Sequence, residues 1–261
     1  MSVNDDAFYK YYAAESLNRA TLDRFAATQD AVVRAARHFG LSATPWRVAD
    51  IGCGAATQCA IWARAGHDVS GVDINEPLIT LGRERAAAAG LKIDLQSGSA
   101  TALPWPDDAF DVCLCPELLE HVADWESVLN EAVRVLKPGG VLYLSTTNKL
   151  CPVQEEFDLP GYSWYPAPLK RRYERLSVTT RPELVNHAKY PAVHWFTYFG
   201  LRDYLARRGL RCLDRFDVAS FGSHGTAGGI VLGAIRALPP LRWAAHTLTP
   251  YTMVFAQKTA A

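Results

Sequence analysis

Strand-like and helix-like segments alternate along most of this chain, which predicts an α/β protein with a parallel sheet covered by helices on both faces. Three observations carry the prediction. Short β-branched and aliphatic runs recur from Arg47 onward. Between them lie stretches with helical apolar periodicity, the clearest being DWESVLNEAVRVL, where Trp125, Val128, Leu129, Ala132, Val133 and Leu136 fall on one face. A Gly-x-Gly turn follows the first strand-like run directly.

The elements follow in order. A helical region from about Ser16 to Phe39 stops at Gly40, which suits a left-handed helix cap. RVADI (47–51) reads as a buried strand, and a helix follows near Ala55 to Ala65. HDVSGVD (67–73) is a second strand, and Asn75-Glu76-Pro77 opens a helix that ends at Gly90. LKIDLQSG (91–98) and FDVCLC (110–115) are the third and fourth strands. Lys137-Pro138-Gly139-Gly140 ends the next helix, and VLYLST (141–146) is the fifth strand. Residues 151–192 then break the pattern with six of the 15 prolines and six aromatics, so an ordered insertion is expected there. A helix around Phe196 to Arg208, a strand at 210–216, an apolar helical stretch over 226–246 and a strand at 252–258 complete the chain. Four parts follow: an N-terminal helical lid (1–46), a ligand-binding core (47–148), an acceptor-side insertion (149–194) and a completion of the sheet (195–261).

Lysines plus arginines number 27 and aspartates plus glutamates 27, so no bulk field exists to gather nucleic acid, and no nucleic-acid partner is expected. The acidic start MSVNDDAFYK has no apolar core of a signal peptide, and six cysteines without a C-x-x-C pair read as reduced thiols, so a cytoplasmic protein is expected. The apolar stretch over 225–235 is about half the length of a membrane span. GGIVLGAIRALPPLRWAAHTL (228–248), flanked by Arg and Trp, leaves peripheral membrane contact as a softer expectation.

In an open parallel sheet the ligand lies beyond the carboxyl ends of the strands, so the turn at Gly52 and Gly54 should touch it. Asp73, 19 residues after Gly54, is placed to accept from a ribose diol. A dinucleotide fits so far, but Thr57 stands where its third glycine belongs, and Asp50 borders a turn with no Lys or Arg between Val48 and Ala63. That arrangement repels pyrophosphate and suits a cationic nucleoside such as S-adenosylmethionine.

The ordered set VADIGCGAATQ, VSGVDIN, GSATALPWPDDAFDVCLC, ELLEHVADW and VLKPGGVLYLSTTN resembles class I S-adenosylmethionine-dependent methyltransferases over roughly Arg47 to Asn148. The resemblance implies a Rossmann-like sheet of seven strands with the last antiparallel. It also implies that Asp50, Gly52 and Gly54 line the methionine end, that Asp73 holds the ribose with Ile74 against the adenine, and that Ser99 and Ala100 edge that ring. Cys115 offers a backbone carbonyl near the cofactor's amino group. Ser99 stands where many relatives carry an aspartate, leaving a hydroxyl for that contact.

Methyl transfer needs alignment of the acceptor, exclusion of water and removal of a proton from an oxygen or nitrogen. His121 and His194 are the base candidates, with His187 and His224 weaker. Tyr9, Tyr11, Tyr12, Tyr162, Trp164, Tyr165 and Tyr173 could line an acceptor pocket or form core, and LKRRYER (169–175) could meet an acidic group or be an exposed helix face. If Pro116 opens a helix, Glu117, Glu120 and His121 share one face and could hold a divalent metal; a metal-free His121 is the preferred reading. The E-x-x-E-H run is most similar to ubiquinone-biosynthesis O-methyltransferases, which implies O-methylation of an aromatic or lipid-like small molecule. The alternatives are an RNA 2'-O-methyltransferase, a nicotinamide oxidoreductase and a non-catalytic cofactor-binding module.

Overall fold

The computed structural model describes residues 13–41, 44–154, 156–185, 191–220 and 225–259. Its centre is a seven-stranded sheet in the order β3-β2-β1-β4-β5-β7-β6. The strands are β1 (Arg47–Ile51), β2 (Asp68–Asp73), β3 (Ile93–Ser97), β4 (Phe110–Pro116), β5 (Leu136–Thr147), β6 (Leu210–Asp214) and β7 (Tyr251–Lys258). β1 to β5 run parallel, while β7 enters antiparallel between β5 and β6, so the expected doubly wound sheet with an antiparallel last strand is present. The order reverses beside β1, which makes the edge between β1 and β4 the ligand-binding crevice.

The helices cover both faces. On one side α1 (Arg19–His38) and α2 (Thr57–Arg64) bury Val32, Ala35, Ala36, Cys59 and Trp62 against Val48, Val112, Tyr143 and Phe255. On the other, α4 (Trp125–Val135) and α6 (Tyr198–Ala206) bury Val128, Leu129, Ala132, Leu201 and Leu205 against Ile51, Cys113 and Leu142. α3 (Glu76–Ala88) begins where expected, with the Asn75 side chain accepting from Leu78 N and a proline in the first turn. Within the segment expected as a lid, α1 buries Val32, Ala35 and Ala36 against one sheet face.

Some boundaries differ from expectation. The Lys137-Pro138-Gly139-Gly140 segment does not form a loop; β5 starts at Leu136, paired with Phe110, and the register shifts before Val112 meets Val141. The strand expected over 210–216 stops at Asp214, where the short α7 (Arg215–Val218) begins. The apolar stretch over 226–246 is not one helix but α8 (Gly225–Ala237) and α9 (Pro239–Thr247), because consecutive prolines end one helix and start the next.

The insertion is ordered around α5 (Ala167–Thr179) and its own small core of Phe157, Tyr162, Leu184 and Val185. Tyr162 stacks on Phe157 with centroids 4.1 Å apart, and Tyr165, Tyr173 and Trp195 surround it. These aromatics form core rather than an acceptor pocket; Trp164 alone of them stays exposed. Within LKRRYER, Lys170 turns inward, with Nζ 4.4 Å from the Trp195 ring and donating to Ser163 O.

Candidate active site

The turn after β1 is built by backbone geometry. Gly52 and Gly54 adopt φ of +79° and +52°, values that glycine takes without strain. This lets Gly52 N and Cys53 N both donate to Val72 O, at 2.8 and 3.0 Å. Gly54 N donates to Asp73 Oδ2 at 2.9 Å, and Asn75 N donates to Asp73 Oδ1 at 2.8 Å. The carboxylate of Asp73 is thereby fixed at the end of β2 with lone pairs to spare.

Behind the turn, Asp50 is 1% exposed; its Oδ2 accepts from Cys59 Sγ at 3.2 Å, and its Oδ1 is buried without a partner. Burial pushes its carboxyl up to about 7, with the bond from Cys59 opposing and the charge of Asp73 adding. Thr57 Oγ1 and both amide atoms of Gln58, at the start of α2, are likewise buried and unpartnered. Orphaned groups of this kind cost about 1–3 kcal/mol each until a partner arrives, so their concentration at one turn marks a polar ligand site. Sequence reasoning missed Thr57 and Gln58, although two polar residues in the first turn of a helix after Gly-x-Gly are a readable signal.

Ile74 is 67% exposed beside Asp73, a large apolar side chain positioned for a flat ring. Ser99 Oγ is 2.8 Å from Thr101 Oγ1 and accepts from Thr101 N, so it shapes its own loop, and Ala100 packs on the core beside it. Cys115 lies just past the last β1–β4 pair, Asp50 with Leu114, and its buried thiol is pushed up by burial and then by the charges of Glu120 and Asp50. It therefore feels the charge both of Asp50 behind the turn and of a second polar group.

That second group departs from the predicted helical face. Pro116 ends β4 instead of opening a helix, Glu117 takes φ +49° and pairs with Arg24, and only a 3-10 turn covers Leu119–His121. Glu117 is thus outside the cluster. Glu120 is fully buried, accepting from Thr146 Oγ1 at 2.8 Å and Thr147 N at 3.3 Å. Burial, then the nearby Glu156, push its carboxyl up to about 8. Glu156 takes the place expected of Glu117: it accepts from Thr147 Oγ1 at 3.0 Å and lies 4.0 Å from His121 Nε2. Ligand atoms of Glu120, His121 and Glu156 lie within 4.8 Å of one another.

His194 is tied to the same place by backbone, since Glu120 O accepts from Val193 N and His194 N. Its Nε2 is 3.1 Å from Ala123 O, and because a carbonyl only accepts, that nitrogen carries the proton. His194 therefore clamps the loop, while His121 keeps a buried Nδ1 with no partner. His187, His224 and the N-terminal tyrosines lie outside the described residues.

The methyltransferase-domain family matches residues 49–144. A ubiquinone biosynthesis O-methyltransferase of Sinorhizobium medicae is 38% identical over 122 residues, covering 44% of this chain and 49% of that one. One of Brucella anthropi is 33% identical over 178 residues, covering 66% and 62%. Residues 49–144 of the chain thus match a methyltransferase domain. Among solved structures, a S-adenosylmethionine-dependent methyltransferase of Mesorhizobium loti superposes with a TM-score of 0.55 at 19% identity, covering 87% of this chain and 97% of that one. A [4+2]-cyclase superposes with a TM-score of 0.53 at 19% identity, covering 88% and 81%, so the fold alone does not decide the chemistry. The chain spans about half of the first relative's length and 62% of the second's.

The cofactor of this methyltransferase class is S-adenosylmethionine, and the turn fits it. Among the residues that could hold it, Asp73 offers an anchored carboxylate, Ile74 an exposed apolar side chain and Asp50 an unpartnered buried oxygen.

Proposed function

We propose that this chain transfers a methyl group from S-adenosylmethionine to an oxygen of a small aromatic or lipid-like acceptor. The observation that carries the reading is the Glu120–His121–Glu156 group beyond the carboxyl ends of β4 and β5, the edge of the sheet that also carries the Gly-x-Gly turn. S-adenosylmethionine supplies a methyl carbon already activated by its sulfonium. Asp73 holds the ribose, Ile74 covers the adenine with Ser99 and Ala100 at its edge, Cys115 offers its carbonyl, and Asp50 takes the ammonium. His121 accepts the acceptor's hydroxyl proton, and Glu156 stabilises the imidazolium that forms. The names of the relatives, ubiquinone biosynthesis O-methyltransferases, support oxygen as the methylated atom.

A second reading has its own observation. Glu120, His121 and Glu156 together offer three ligand atoms that suit a divalent cation, which would lower the acceptor hydroxyl's pKa. Chelation separates the two: activity that survives EDTA supports His121 as the base, and activity lost to EDTA and restored by Mg²⁺, Mn²⁺ or Zn²⁺ supports the metal.

Peripheral lipid contact accords with a lipid-like acceptor. Ile230, Val231, Leu241 and Trp243 of α8 and α9 are exposed, and residues 218–261 contain no Asp or Glu. Among the described residues no helix is long and apolar enough to cross a membrane. Co-sedimentation with anionic liposomes at low salt tests this contact. Six free thiols support a cytoplasmic setting.

Calorimetry with S-adenosylhomocysteine and with NADH tests the cofactor; binding of NADH alone would overturn the reading. A mass-spectrometric search for cell metabolites that gain one methyl group in the presence of the protein and cofactor identifies the acceptor.

A further inference from the structure

Asp50 pairs across the β1–β2 ladder with Gly71, a residue with no side chain. A Cβ added there would lie 2.8 Å from Leu95 Cδ2, 2.9 Å from Cys53 Sγ and 3.0 Å from Cys59 Sγ, so the two thiols, with Leu95, fill the space that Gly71 leaves beside the carboxylate. Contact with Cys53, then burial, hold the Cys59 thiol well above its usual range, so it stays protonated and its S–H donates to Asp50 Oδ2. Among the described residues this is the carboxylate's sole hydrogen bond, since Oδ1 has none. The groups that act on Asp50 are Cys53 and Cys59 around the turn, Asp73 from β2 and Cys115 from β4, and none of them is a cation.

We propose that Cys59 is a positioning residue of the cofactor site: its S–H fixes one oxygen of Asp50 and leaves the other for the ammonium group of the cofactor's amino-acid tail. The proposal rests on the reading of this turn as the S-adenosylmethionine site. It explains why a buried acid stands beside a glycine and two cysteines with no basic partner.

The consequence is a pH dependence of binding. Burial pushes the Asp50 carboxyl up to about 7, opposed by the bond from Cys59, with the charge of Asp73 raising it further. A cationic ligand needs the ionised form, so affinity is full above that pH and falls as the pH drops through it. Without the Cys59 donor the fall begins at higher pH.

The experiment measures calorimetric affinities between pH 5.5 and 8 for two ligands. S-adenosylhomocysteine carries the ammonium tail; 5'-methylthioadenosine has the same nucleoside without it. In the native chain, S-adenosylhomocysteine should lose about tenfold in affinity per pH unit below the midpoint, and 5'-methylthioadenosine should stay flat. Cys59→Ala should move the midpoint upward and weaken S-adenosylhomocysteine about 3- to 10-fold at pH 7, the range of one hydrogen bond, with 5'-methylthioadenosine unchanged. Cys59→Ser should restore the native profile. Cys59→Val keeps the volume without the donor and replaces the alanine variant should that one fail to fold. A variant profile that superposes on the native one, or an equal loss for both ligands, overturns the proposal. A folded native chain that binds neither ligand overturns the cofactor reading and this proposal with it, an outcome distinct from the other two.

Discussion

At the scale of single residues, the site depends on carboxylates held in unlike environments. The Asp73 carboxyl is raised by burial but held back by two backbone N–H groups, while Asp50 and Glu120 are fully buried and pushed up to about 7 and about 8. Asp73→Ala removes the ribose acceptor, and S-adenosylhomocysteine affinity should fall by about 1.5–3 kcal/mol in calorimetry; unchanged affinity in a folded variant would count against the assignment. His121→Ala should lower kcat about 10²-fold or more. Glu156→Gln, which keeps the acceptor for Thr147 but removes the charge facing His121, should lower kcat by less than His121→Ala does. Full activity in both variants would remove the base from the mechanism. Asp50, Asp73 and His121 were legible in the sequence as candidates because each stands near a strand end, and Ile74 came with the family resemblance. Glu156 was not, because it reaches the site from an irregular loop whose course depends on the small aromatic core of the insertion.

At the scale of elements, the close approach of α3 to the cofactor turn replaces the packing that a third glycine in the turn would provide. A Cβ on Gly82 of α3 would lie 3.0 Å from Ala56 Cβ and 3.2 Å from the backbone of Ala55. Gly82→Val should push α3 off the turn, destabilise the chain by about 1–3 kcal/mol and weaken S-adenosylhomocysteine, read by denaturant titration and calorimetry. Unchanged stability would mean that α3 can slide without cost. The predicted E-x-x-E-H helix failed for a reason at this scale: Ser145 O accepts from Glu117 N, which continues β4 pairing through Pro116 and turns the chain before a helix can start. Local spacing favoured a helical face, and the ladder with β5 outweighed it.

At the scale of the whole molecule, burying two carboxylates at the ligand edge sets a stability gradient. A carboxyl raised in the folded chain binds its proton more tightly than in the unfolded chain, so the folded state loses stability as pH rises from the ordinary carboxylate range through the folded value. With Asp50 at about 7 and Glu120 at about 8, the ligand-free chain should lose Tm between about pH 5 and 8. Glu120→Gln should flatten that slope in thermal scans, and S-adenosylhomocysteine should flatten it further by supplying Asp50 with a cation. A Tm that rises across the same window would mean that these groups are not the dominant titrating pair.

The strand and helix alternation, the Gly-x-Gly turn after β1 and the place of Asp73 at the end of β2 were legible in the sequence, because periodicity, glycine and strand-end position are local properties of the chain. Tertiary structure alone decided three further things. It seated the insertion's tyrosines in a core of their own, since Phe157, Leu184 and Trp195 meet them only after folding. It exchanged Glu117 for Glu156 beside His121, since Arg24 of α1 captures the first and Thr147 of β5 holds the second. It also brought Cys59 to Asp50 across the gap at Gly71, an alignment fixed by strand register and helix packing and invisible to spacing along the chain.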